Sequence, residues 1–72
     1  MPTYAVEVIL PDEEGSVVRQ LYSVESPDLT DALRVVDGLS PSHGGKVLNP
    51  IGMFEGDAAE TLNQLPDIIR LD

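Results

Sequence analysis

The chain has 72 residues, 42% of them apolar and 24% charged, with 13 acids against 4 bases, no cysteine and a formal net charge of −9. So short a chain supports one core only, and without cysteine there is no disulfide scaffold, thiolate zinc site or cysteine nucleophile. The scarcity of Lys and Arg argues against holding nucleic-acid phosphates or an anionic membrane surface, and no apolar run approaches the about 18 residues of a membrane span or a signal core.

Thr3 to Leu10 alternates with a period of two, Tyr4, Val6, Val8 and Leu10 against Thr3, Ala5, Glu7 and Ile9, which predicts a half-buried strand. Pro11 ends it. Asp12-Glu13-Glu14-Gly15 then has the order of a type I turn closed by a left-handed glycine, the three-residue hairpin with a bulge. In that register Asp12 closes against Ser16. Leu10 lies opposite Val18, Val8 opposite Gln20, Val6 opposite Tyr22 and Tyr4 opposite Val24. A four-residue loop would instead set Arg19 among the aliphatics. The other face carries Ala5, Ile9, Val17 and Leu21 beside Glu7 and Arg19, which are expected to form a cross-strand ion pair. Ile9, Val17 and Leu21 are scattered surface aliphatics, are covered by the C-terminal segment, or form a contact patch for a partner or a second copy of the chain.

Ser26-Pro27-Asp28 reads as a helix start with Ser26 as N-cap. Leu29, Ala32, Leu33 and Val36 recur at helical spacing, and Asp37-Gly38-Leu39 has the pattern of a C-terminal glycine cap. Residues 40–45 are loop by their Pro and Gly content. A third strand is expected from Lys46 to Leu48, bent at Asn49-Pro50 and resumed from Ile51 to Phe54. Asp57 and Glu60 fit a capping box for a second helix with Ala58, Leu62 and Leu65 on its buried stripe. Pro66 stops that helix, and residues 68–71 are read as a short final strand rather than a helical extension, since two Ile favour extended structure. The whole is one α+β domain over residues 1–72, in ββαβαβ order. Its antiparallel sheet is expected to be packed on one face by both helices.

Catalytic and metal chemistry find little support. His43 is the only histidine. It shares a glycine-rich loop with Ser40 and Ser42, without the buried, oriented base that a triad requires. Asp12-Glu13-Glu14 lacks the alternating acids and terminal Glu of a calcium loop. Gly44-Gly45-Lys46 lacks the Walker spacing and precedes a strand rather than a helix. No enzyme, cofactor or metal site is expected. Met53 and Phe54, set between Gly52 and Gly56, form either a projecting loop anchor or part of the core.

The acids are uneven, with residues 1–31 at −6 and residues 32–72 at −3. Such a field favours a basic partner reached by electrostatic steering. The expectation is a small cytoplasmic, non-enzymatic protein-binding module. Its acidic face (Asp12, Glu13, Glu14, Glu25, Asp28 and Asp31) would dock on a basic protein, including one that itself binds nucleic acid. In general type, and by analogy alone, this describes the small acidic inhibitors and nucleic-acid mimics made by phages. The competing expectation is a salt-adapted subunit or homodimer whose acidity serves the solvent.

Overall fold

A computed structural model describes residues 1–71. The hairpin sets the frame. Strands β1 (Thr3–Pro11) and β2 (Val17–Glu25) pair antiparallel with Leu10 opposite Val18, Val6 opposite Tyr22 and Tyr4 opposite Val24, the register that the turn chemistry predicts. The Asp12 amide donates to the Ser16 carbonyl at 2.7 Å and the Gly15 amide to the Asp12 carbonyl at 3.1 Å. Gly15 sits at φ 84°, the left-handed conformation this bulge needs.

Helix α1 (Leu29–Leu39) follows, then strand β3 (Val47–Phe54), helix α2 (Gly56–Asn63) and strand β4 (Ile68–Leu71). The α+β class and the ββαβαβ order are as read from the sequence. The sheet order is β3-β1-β2-β4. The β1–β2 and β1–β3 pairs are antiparallel and the β2–β4 pair parallel, so the sheet is mixed, with its short last strand accounting for the one parallel edge. The bend at Asn49-Pro50 is a bulge: Ala5 faces Gly52 and Val6 faces Pro50, leaving Ile51 as the extra residue. Proline, with no amide to donate, is tolerated there because β3 is an edge strand.

The core lies on one face of the hairpin, where Val6, Val8, Tyr22 and Val24 meet Ala32 and Val36 of α1, with Tyr4, Leu10, Leu33, Leu48 and Leu71 packed around them. Gln20, the one polar residue of that face, accepts a hydrogen bond from the Tyr22 hydroxyl. The two helices do not share this face. Ala5 and Ser23 are buried on the face opposite to Val6, Tyr22 and Val24, and the Ser23 hydroxyl donates to Asn63 Oδ1 of α2 at 2.6 Å. Helix α2 therefore covers the opposite face. Topology gives the reason. β2, β3 and β4 run parallel, and the chain crosses the sheet one way through α1 and back through α2. Two right-handed crossovers in opposite directions lie on opposite faces.

Helix boundaries also differ locally. The N-cap of α1 is Asp28, whose carboxylate accepts from the Asp31 amide at 2.7 Å. Ser26 is instead fully buried, its hydroxyl bonded to the Asp28 carbonyl and to Asp31 Oδ2. Gly38 lies inside the helix, which ends at Ser40 without a left-handed residue. In α2 the N-cap is Glu55, with no side-chain cap, and Asp57 falls in the first turn. Of its expected stripe only Leu62 is buried; Ala58 and Leu65 are exposed.

Two glycine substitutions should act in opposite directions. An added Cβ meets nothing within 4 Å at Gly15 or Gly38, so backbone conformation alone decides. Gly15→Ala is expected to destabilise by about 1 kcal/mol, and Gly38→Ala to stabilise by roughly 0.5 kcal/mol, in urea denaturation at fixed salt.

Candidate functional site

The six acids proposed as one face fall into two groups. Asp12, Glu13 and Glu14 form the hairpin tip, all exposed. Glu25 ends β2 at its other end, and Asp28 and Asp31 lie just beyond it. From the first to the ninth residue of β1, eight steps of about 3.3 Å hold the two groups roughly 26 Å apart.

The groups differ in chemistry. Asp28 is committed to capping α1. Asp31 accepts from Arg34 at 2.6 Å and from the Ser26 hydroxyl at 2.7 Å, and these bonds, the Arg34 one foremost, hold its carboxyl below the usual aspartate range. The same contact raises the Arg34 guanidinium. Both aspartates therefore serve the fold first. The tip carboxylates have no ion-pair partner among the described residues. Beside them Val17 and Val18 are about half exposed, at 50% and 52%.

The patch of Ile9, Val17 and Leu21 lies on the α2 side of the sheet, beyond the reach of that helix. Ile68 of β4 stands opposite Leu21, and Val47 opposite Ile9. The C-terminal strand thus shields Leu21 while Val17 stays open. Within the patch Arg19 and Glu7 approach to 3.7 Å, the cross-strand ion pair expected from the register.

Met53 and Phe54 do not form one anchor, because consecutive strand residues point to opposite faces. Met53 pairs with Tyr4 on the α1 side and is 55% exposed. Phe54 pairs with Thr3 on the α2 side and is half-buried. Phe54 is shared by two adjoining recesses, both open to solvent. One, of about 410 Å³, is lined by Phe54, Ala58, Thr61, Leu62 and Leu65. The other, of about 450 Å³, has Thr3, Glu25, Glu55 and Ala59 in its wall. Composition gives no sign of this juxtaposition. It arises because Ala58 and Leu65, read as buried, are left exposed by an α2 that is only eight residues long.

Lys46 is a structural residue that the sequence reading did not single out. Its ammonium reaches the Asp37 carboxylate at 3.1 Å, the Asp37 carbonyl at 3.0 Å and the Ser40 hydroxyl at 3.2 Å, with only 12% of the side chain exposed. It is the cation that the C-terminal end of α1 otherwise lacks. In the core, burial raises the Tyr22 phenol, an effect partly offset by Lys46. His43 is exposed, its Nδ1 2.6 Å from the Gly44 carbonyl. Among the described residues no three His, Asp or Glu side chains converge on a point that would hold a metal ion, and no helix is long and apolar enough to cross a membrane. Comparisons with protein-family models, curated proteins and solved structures find no match.

The depressed carboxyl of Asp31 makes an acid-side prediction. A group whose folded pKa is lowered stabilises above its unfolded value, about 3.9 for aspartate, and that contribution is lost as pH falls through the folded value. Thermal melts of the wild type should therefore decline more steeply below about pH 4 than those of Asp31→Asn; superimposable acid limbs would remove Asp31 from the account.

Proposed function

We propose that the chain is a small, non-enzymatic protein-binding module that acts in the cytoplasm by docking its carboxylates on a basic surface of a partner protein. The partner surface is of the kind that otherwise receives nucleic-acid phosphates, so the module works as a decoy for them. One observation carries this reading: Arg19, Arg34 and Lys46 are engaged with Glu7, Asp31 and Asp37 of the same chain, while Asp12, Glu13 and Glu14 project from the hairpin tip without a counter-charge among the described residues. An unbalanced group of this kind costs self-repulsion in the free protein and recovers it on a cationic surface. The long, narrow shape, 40 × 24 × 17 Å, sets the tip at the far end of the hairpin, where approach is unobstructed.

The test is capture from lysate at about 0.15 M salt, followed by a salt step, since charge-driven complexes release as screening grows. One dominant basic protein is expected in that step, and a nucleic-acid fragment added in excess should displace it. Glu13→Lys with Glu14→Lys should abolish capture, while His43→Ala should retain it. Equal retention by both variants would sink the proposal.

A further inference from the structure

We infer that the paired recesses at Phe54 form a docking cleft for a peptide segment of a partner in which an apolar side chain stands within a residue or two of a Lys or Arg. The inference rests on the reading of the chain as a protein-binding module and assigns the contact to a second surface, away from the hairpin tip.

The two recesses share Phe54 as a wall and differ sharply in chemistry. The first has Leu62 as its floor, 7% exposed, and Leu65 on its rim, 44% exposed, with the small Ala58 giving it depth along the helix. The one polar side chain among the described lining residues, that of Thr61, donates its hydroxyl to the Asp57 carbonyl one turn back on the same helix, at 2.9 Å. The second brings Glu25 from the end of β2 and Glu55 from the start of α2 to one hollow, though the two are thirty residues apart in the chain. Among the described residues no basic side chain lines either recess or pairs with either carboxylate. An apolar side chain entering the first removes Phe54 and Leu65 from water, and a cation beside it meets Glu25 and Glu55 in the second.

Charge complementarity selects the occupant. A second copy of this chain carries the same net −9 and holds three of its four bases in internal ion pairs, so it would bring mainly carboxylates to carboxylates. A purely apolar segment leaves the acidic recess unmatched. A purely basic one finds no use for Phe54, Leu62 and Leu65. Aromatic and aliphatic anchors set beside a charged rim are the usual distribution of binding energy at an interface.

The experiment titrates the full chain at about 0.15 M salt with three short synthetic peptides: one alternating Leu and Lys, one alternating Ser and Lys, and one alternating Leu and Glu. Binding is followed by backbone amide shifts. The Leu/Lys peptide is expected to move Thr3, Phe54, Ala59, Leu62 and Leu65, and to bind at least about tenfold more tightly than either control. Glu25→Gln with Glu55→Gln, and separately Leu65→Glu, should each weaken it by about tenfold or more, whereas Glu13→Gln with Glu14→Gln should leave it within about twofold. Leu65 is exposed, so its variant keeps the test decisive should Phe54→Ala fail to fold. Shifts confined to residues 12–18, equal binding by the Ser/Lys peptide, or full affinity in Leu65→Glu would each overturn the cleft. Those results would leave capture through the hairpin tip untouched. Conversely, cleft binding with no partner captured through the tip would support the cleft and overturn the tip.

Discussion

The closure of Asp12 on Ser16 is the interaction on which the rest of the structure depends. It fixes the pairing of β1 with β2, and a slip of one residue would exchange the faces of one strand. In the observed register the two faces differ in bulk. The α1 side collects Val6, Val8, Tyr22 and Val24, and the α2 side has Thr3, Ala5 and Ser23, with Gly52 opposite Ala5. Bulk on one side supplies the core. Small residues on the other let a short helix sit close and bond through Ser23 to Asn63. The same register places Arg19 where it reaches Glu7, so the one acid embedded in the middle of the hairpin is balanced within it. Two helices of unequal length then suffice, because α1 covers large side chains while α2 lies over small ones with Phe54 at their border.

The hairpin was legible in the sequence because everything that specifies it is local: alternation with a period of two, a Pro at the strand end, and Asp and Gly at the turn positions that need them. The bend at Asn49-Pro50 and the final strand were legible for similar reasons. Helix ends were less so. Ser26 and Asp28 are both good caps by residue type, and what separates them is burial, since the Ser26 hydroxyl is taken up by Asp28 and Asp31 in a site closed by the Pro2 carbonyl. The placing of the helices on opposite faces depends on strand order and crossover hand, neither of which appears in a hydropathy pattern. The same is true of the candidate surfaces. Asp12 and Glu25 count equally toward net charge, yet pairing of the strands that carry them sends them to opposite ends. Lys46 finds the end of α1 from nine positions further along the chain, a contact with no sequence period to announce it.

Three of the four bases are spent at joints of the fold. Arg34 holds Asp31 at the entrance to α1, Lys46 closes its exit against Ser40, and Arg19 spans the hairpin. Exposed pairs such as Arg19–Glu7 contribute little, in the range of 0–1 kcal/mol. Lys46 is different, because its ammonium is mostly removed from water and meets a carboxylate, a carbonyl and a hydroxyl together. With these commitments made, the surplus of acids is left at the two ends, beyond the reach of internal compensation.

Distance then decides how that surplus behaves. The Debye length at physiological ionic strength is about 8 Å, so groups roughly 26 Å apart are screened from each other. The charge of −9 is therefore not one field but two local ones. At the hairpin tip the carboxylates stand clear of the fold beside half-exposed valines, an arrangement suited to first encounter with a cationic surface, where rate rather than fit is at stake. At the other end Glu25 and Glu55 border Phe54 and the open side of α2; in the cleft proposed above, an incoming cation would be accompanied by apolar burial and the contact would gain in lifetime. The sheet serves as the spacer that keeps the two from acting as one.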